Sequence, residues 1–310
     1  MNHLFQKFAA FSGILLFGLC AACKSPAPAP VAAPPPPPPP PPEAPAGDPR
    51  FNLAFDRIEA KSINQVSLFY TLQAENPRSA LLPAEVLNWQ VELNGALPAA
   101  SALTAIPKGS LGGRPARGAR FETPSRDTGI LVFRLDMDLP ANSNNFDEYS
   151  ADLKLFLSWQ YGAEDPSKEE LSIAAAFPRI REPEFTITSI TISQADLITT
   201  RFRVNLRIDN PNVFPVDLSS FDYELYGRGR FWADGREKDV LLVPARSSAE
   251  TRLSLEMNFI DMKRDLLNDV ISLDRVAYRF KGEAMVGTGI AMLPQFHIDF
   301  NRSGNSVVVK

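Results

Sequence analysis

The chain is expected to be mainly β, folded as two tandem antiparallel sandwiches with one short helix in each. Three observations predict this. Apolar residues alternate with polar ones over short runs, as at Val66, Leu68, Tyr70 and Leu72 and again at Phe202, Val204, Leu206 and Ile208; period-two alternation marks a half-buried strand. Asn-Pro, Gly and Pro turn signals close these runs at short intervals. The same order of signals occurs twice along the chain, and many short strands with few helices imply sandwiches.

The elements follow in order. The first alternating run ends at Glu75-Asn76-Pro77 and its counterpart at Asp209-Asn210-Pro211. A proline comes a few residues later in each half, Pro83 and Pro215. A second strand then carries Val86, Trp89, Val91, Leu93 and Gly95 in the first half, matched by Leu218, Phe221, Tyr223, Leu225 and Gly227. Pro124-Ser125-Arg126 aligns with Pro244-Ala245-Arg246, and Leu131, Phe133, Leu135 and Met137 with Thr251, Leu253, Leu255 and Met257. A short helix is expected next. Met262, Leu266 and Val270 recur at i, i+4 and i+8, and Asn144 to Leu153 is the weaker equivalent. Further strands close each half: Leu153 to Tyr161 and Leu171 to Phe177, then Val276 to Val286 and Gln295 to Phe300. Phe177-Pro178 to Pro183 is the expected junction, giving domains at 51–180 and 184–310 that touch.

The N-terminus carries an address. Lys7 precedes an apolar run from Phe8 to Leu19, and small residues Ala21 and Ala22 precede Cys23. Charge, short apolar run and small-residue cleavage site are the order of a secretory signal, here residues 1–22. The uncharged run from Phe8 to Cys23 is 16 residues, below the ~20 that span a bilayer. Leu19-Cys20-Ala21-Ala22-Cys23 resembles a lipobox, with Cys20 departing from the usual leucine. The resemblance implies a lipoprotein with diacylglycerol on Cys23, anchored to a membrane of the cell envelope. Lys24 and Ser25 point to the outer membrane rather than the inner. Cys20 and Cys23 are the only cysteines, so the mature domains have neither a disulfide nor a thiol nucleophile. With 45% hydrophobic residues, an apolar core must do that work instead.

Residues 23–50 read as the anchor and a linker. Pro34 to Pro42 is an unbroken run of nine prolines. Proline fixes φ and donates no backbone hydrogen bond. The run is expected as polyproline II spanning about 28 Å, a semi-rigid stalk.

The second half also resembles a known family. Val204-Asn205-Leu206-Arg207-Ile208-Asp209-Asn210-Pro211-Asn212-Val213-Phe214-Pro215-Val216, followed by Tyr223-Glu224-Leu225 and by Val243-Pro244-Ala245-Arg246-Ser247, is similar to the late embryogenesis abundant type 2 family. This is also called the water stress and hypersensitive response (WHy) domain. The likeness covers about residues 184 to 301. The first half resembles a degenerate copy: it keeps Asn76-Pro77, but Arg78 replaces the second Asn and Leu82-Pro83 replaces Phe214-Pro215. The resemblance implies immunoglobulin-like or fibronectin-like sandwiches linked to desiccation and stress protection, with no established active site. Asparagine caps turns with its side chain and proline blocks further sheet pairing. The motif therefore reads as a structural corner.

Little in the sequence suggests catalysis. His3 leaves with the signal, so His297 is the sole histidine of the mature chain, placed in the alternating run Phe296 to Phe300. It is expected to face solvent. No Gly-x-Ser-x-Gly elbow accompanies it, and one histidine without a spare cysteine makes a transition-metal site improbable. Asp136 and Asp138 read as a solvated strand face. No catalytic residue, metal or cofactor is expected. Lys108, Arg114, Arg117 and Arg120 lie in a glycine-rich segment, read as a long flexible loop or, more sharply, as a contact for lipid headgroups or an anionic cell-wall polymer. Arg228 and Arg230 form a second, smaller basic turn. A net charge of −4 and the location exclude nucleic acid as a partner. The function expected is a non-enzymatic stress or scaffold module partnered by envelope protein, lipid or polymer. A carrier of lipid or another hydrophobic ligand is the alternative, and an envelope hydrolase a remoter one.

Overall fold

The computed structural model describes residues 47–107, 112–140, 146–195, 199–258 and 275–309. Ala46–Lys310 forms one compact unit. Cys23, the proline run and Lys108 lie outside the described residues, as does the helix expected around Met262, Leu266 and Val270.

Among the described residues the first half holds nine strands: β1 (Arg50–Ser62), β2 (Gln65–Glu75), β3 (Leu82–Leu93), β4 (Ser101–Pro107), β5 (Arg114–Pro115), β6 (Arg120–Thr123), β7 (Thr128–Asp138), β8 (Glu148–Trp159) and β9 (Ser167–Pro178). They form two antiparallel sheets, in the orders β1-β2-β7-β4-β5 and β6-β3-β8-β9. The alternation read from sequence sets the register. Leu68 pairs with Leu135 and Tyr70 with Phe133, and all four side chains are fully buried. Facing them, β8 buries Leu153, Leu155 and Leu157.

The helix expected over Asn144 to Leu153 is corrected: from Glu148 the chain is strand β8. Tyr149, Ala151, Leu153, Leu155 and Leu157 are buried while the residues between them are less so. This period of two puts one apolar face on the opposite sheet, where a helix would scatter those side chains around its axis. No helix occurs among the described residues.

The second half holds β10 (Glu184–Ala195), β11 (Thr199–Asn210), β12 (Val216–Gly227), β13 (Arg230–Glu237), β14 (Leu241–Val243), β15 (Ser247–Asn258), β16 (Arg275–Gly287) and β17 (Gln295–Val309). Their order is β13-β12-β16-β17-β10-β11-β15, with β14 also on β12. All ladders are antiparallel except β10 with the end of β17, where Ser189 to Thr191 run parallel to Val307 to Val309. The sheet curls so that β13 and β14 come against β15, and one layer faces the other. Between the layers the Phe300 ring lies 4.7 Å from Phe185, 5.2 Å from Phe221 and 5.1 Å from Phe280. Gly282 makes this stack fit, because a Cβ there would fall on the Asp222 carbonyl oxygen and 2.6 Å from the Phe300 ring.

The ladders fix which end of each sandwich meets the other. In the first half Arg50 pairs with Glu75 beside Asn76, and Glu148 pairs with Pro178 at the opposite end. In the second half Glu184 pairs with Asp209 beside Asn210, and the turn at Arg228 and Gly229 closes the far end. The far end of the first sandwich meets the Asn210 end of the second, where Ala60 N–H donates to the Met292 carbonyl at 2.8 Å.

Candidate functional site

The Asn-Pro motif residues singled out from sequence lie at two corners of the same construction. Asn210 is buried where β11 ends. Its amide nitrogen donates to the carbonyls of Phe214 (2.8 Å), Val243 (3.2 Å) and Pro244 (3.1 Å). Asn76, buried where β2 ends, donates to the carbonyls of Ala80 (2.8 Å), Thr123 (3.2 Å) and Pro124 (2.9 Å). Each amide oxygen accepts the backbone N–H two residues on, Asn212 at 3.0 Å and Arg78 at 3.1 Å. Each corner is locked by a further backbone bond, Arg246 N–H to the Asn212 carbonyl and Arg126 N–H to the Arg78 carbonyl. Both arginines hold positive φ, 48° at Arg246 and 53° at Arg126. Each asparagine thus ties the end of its strand to the turn four residues on and to one segment remote in sequence. Burying an amide stabilises only when its hydrogen-bonding capacity is met. The prolines Pro77 and Pro211 end the strand, and Pro215 lies exposed beyond Phe214, whose ring packs on the core.

The corners differ at the position where the sequences differ. Asn212 is buried and binds the junction segment through both amide atoms. Its oxygen accepts Arg181 N–H at 2.7 Å and its nitrogen donates to the Arg181 carbonyl at 2.9 Å. Arg78 replaces it in the first half and binds by charge, reaching Asp48 ahead of β1 at 3.2 Å and Glu164 between β8 and β9 at 2.8 Å. Its guanidinium lies 4.2 Å from the Tyr161 ring centre, and the Tyr161 hydroxyl donates to the Asn76 oxygen at 2.7 Å. An Asn212 Nδ2 bond fills the same role at Asn210. Burial raises the Tyr161 hydroxyl above the ordinary tyrosine value, with Asp48 and Glu164 adding to it against Arg78.

Around the second corner the first half contributes Asp147, which takes Arg181 at 3.5 Å and also pairs with Arg246. Arg181 donates to the carbonyls of Phe146 at 2.8 Å and Pro211 at 3.3 Å. Partly exposed ion pairs contribute about 0–1 kcal/mol each. The buried Asn212 amide, satisfied on both sides, is the firmer tie. Each corner borders an open polar recess, about 590 Å³ beside Asn76 and about 510 Å³ beside Asn210. Arg126 and Arg246 occupy matching places in the two linings.

The basic segment after β4 is built in rather than loose over its described part. Ala116 N–H donates to the Leu103 carbonyl on one sheet, and Gly118 N–H to the Val86 carbonyl on the other. Ala116 is fully buried. Arg120 pairs with Glu85 at 2.8 Å, while Arg114 and Arg117 point outward. This staple was not legible in sequence, where glycine and arginine hid the two small alanines that dock. His297 faces solvent and sits 3.3 Å from Glu283, with Asp299 nearby. Asp136 is held by Ser67, Arg134 and Lys61. Partial desolvation alone would raise its carboxyl, but those three groups outweigh it and keep the carboxyl below its ordinary range.

With the corners in place, comparison with known proteins becomes specific. Residues 205–304 match the family of late embryogenesis abundant proteins. The matched stretch contains Asn210, Asn212 and Arg246 and runs through most of β17. No curated protein matches the chain. Among solved structures, a protein from Archaeoglobus fulgidus is 16% identical, with a TM-score of 0.26 over 41% of this chain and 96% of its own. The CupB6 tip adhesin from Pseudomonas aeruginosa is 10% identical, TM-score 0.29, over 85% and 99%. A family 2 glycosyl hydrolase from Bacteroides cellulosilyticus is 8% identical, TM-score 0.24, and this chain spans 28% of its length. Likenesses of this size bear on nothing the chain does.

Proposed function

We propose that the chain is a non-catalytic envelope lipoprotein, anchored through Cys23, whose two tandem late embryogenesis abundant type 2 units act as a stress-protective or scaffolding module. The observation that carries the reading is the corner. It recurs at Asn76 and Asn210 with the same three amide-to-carbonyl bonds, the same accepted backbone N–H and a positive-φ arginine, and the second instance lies inside the stretch that matches the family. Repetition of so particular a network supports descent of both halves from one unit. The partners of this reading are envelope protein, lipid or cell-wall polymer, met by the outward faces of rigid sheets.

Two experiments test it. Labelling with radioactive palmitate should mark the wild-type chain and not Cys23→Ser; label retained in the variant removes the lipoprotein assignment. A strain lacking the gene should lose survival on drying or osmotic shock, restored by wild type and not by Cys23→Ser. Unchanged survival of the deletion strain removes the stress role.

A further inference from the structure

The far pole of the second sandwich carries a surface that the corner does not explain. β12 and β13 are joined by a two-residue turn in which Arg228 and Gly229 both hold positive φ, 48° and 78°. That geometry suits a tight hairpin, and it projects Arg228 and Arg230 from the end of the sheet; both are exposed. Beside them Phe231 is 40% exposed, its ring held edge-on to Tyr226 at 5.6 Å between centres. Tyr226 pairs across the sheet with Arg279, which is exposed, and Lys281 stands 5.1 Å over the Tyr226 ring. Arg228 and Arg230 have no carboxylate partner among the described residues, while Arg279 donates to the Asn301 side-chain oxygen at 2.9 Å and helps hold the Glu224 carboxyl below its ordinary range. Glu224 answers Lys281 at 2.7 Å.

An exposed phenylalanine on a tight hairpin, flanked by a tyrosine and by the guanidiniums of Arg228 and Arg230, combines two recognition elements. Aromatic rings with a polar edge settle at the headgroup level of a bilayer. Arginines beside them gain from anionic lipid within a Debye length.

We propose that the β12–β13 hairpin tip, with Arg228, Arg230, Phe231, Tyr226 and Arg279, is a docking site for an anionic phospholipid bilayer, separate from the anchor at Cys23 and independent of the stress-protective reading. The occupant is a lipid surface rather than a soluble polyanion, because the exposed Phe231 ring beside the arginines gains most from the apolar boundary of a bilayer.

The test is flotation of the compact unit Ala46–Lys310, which lacks the anchor, with vesicles of phosphatidylcholine containing about one third phosphatidylglycerol. Binding is expected, with none to pure phosphatidylcholine. Arg228→Asn with Arg230→Ser should weaken it about 10- to 30-fold, since each basic residue near such a surface is worth about one factor of five. Asparagine tolerates the left-handed turn position. Phe231→Ser should weaken binding while leaving its salt dependence in place. The control Lys154→Gln with Lys168→Gln removes the same charge from the first sandwich and should change nothing. Circular dichroism and the urea midpoint establish that each variant is folded. The proposal is overturned by absence of vesicle binding, by equal loss in the control, or by binding of a soluble anionic polysaccharide that matches vesicle binding and ignores Phe231→Ser.

Discussion

Asn210 shows how much one side chain holds in this molecule. Its amide nitrogen serves three carbonyls and its oxygen takes two donors. Asn210→Ala strands those groups in a buried site, at about 1–3 kcal/mol for a single unmet group. We expect about 3 kcal/mol lost, read from the urea midpoint, and a similar loss for Asn76→Ala. Asn212→Ala should cost less, because the Arg181 main chain can turn to water. Tyr70 presents the opposite case. It is fully buried, and its hydroxyl finds no hydrogen-bond partner among the described residues. Tyr70→Phe is therefore expected to leave stability unchanged or raise it by about 1 kcal/mol. Tyr223 gives a pH signature. Burial, with Glu237 and Asp234 adding to it, pushes its hydroxyl up to about 12. A raised folded value means the contribution is complete below the unfolded value near 10 and fades as pH rises towards 12. Tyr223→Phe should shift alkaline unfolding, followed by circular dichroism between pH 9 and 12, to higher pH.

At the scale of elements, most strands could be read from the sequence because a half-buried strand writes its burial into every second residue. The runs at Val66 to Leu72 and Phe202 to Ile208 are the clearest. The expected helix before Leu153 failed for the same reason in reverse. Polar Ser150, Asp152 and Lys154 alternate with Ala151 and Leu153, and alanine is too weak a marker to show that the alternation starts at Tyr149. The corner was visible as Asn-Pro, yet its partners were not, since Val243 and Pro244 contribute only backbone oxygens that any residue carries. Arg78 looked like decay of the motif; its charge pairs with Asp48 and Glu164 depend on approach in space alone. Gly282 offers a test at this scale. A methyl group there would collide with the Asp222 carbonyl and the Phe300 ring. Gly282→Ala should therefore lower the urea midpoint more than Gly47→Ala, where the added Cβ meets nothing.

For the whole unit Ala46–Lys310, the ladders set the two sandwiches end to end. The chain enters at the Asn76 pole, crosses to the second half at Pro178 and turns back at Arg228 and Gly229 on the far pole. Strands of 12 residues rise about 3.3 Å per residue, so the pair is expected to reach about 80 Å. A maximum dimension near that value in small-angle scattering would agree; one near 45 Å would mean the sandwiches fold side by side. The junction relies on Asn212 and on Asp147 between Arg181 and Arg246. Asp147→Ala with Asn212→Ala should speed limited proteolysis between residues 178 and 183 without lowering the urea midpoint of the first sandwich.

Such an arrangement has a mechanical consequence. Tension applied between Asp48 and the distal hairpin would run along the strands of both halves. Hydrogen bonds pulled parallel to a ladder yield together, whereas a hairpin peeled from its end gives way one bond at a time. A tether loaded in this direction resists as a unit, and the two asparagine corners sit where the load enters each sandwich.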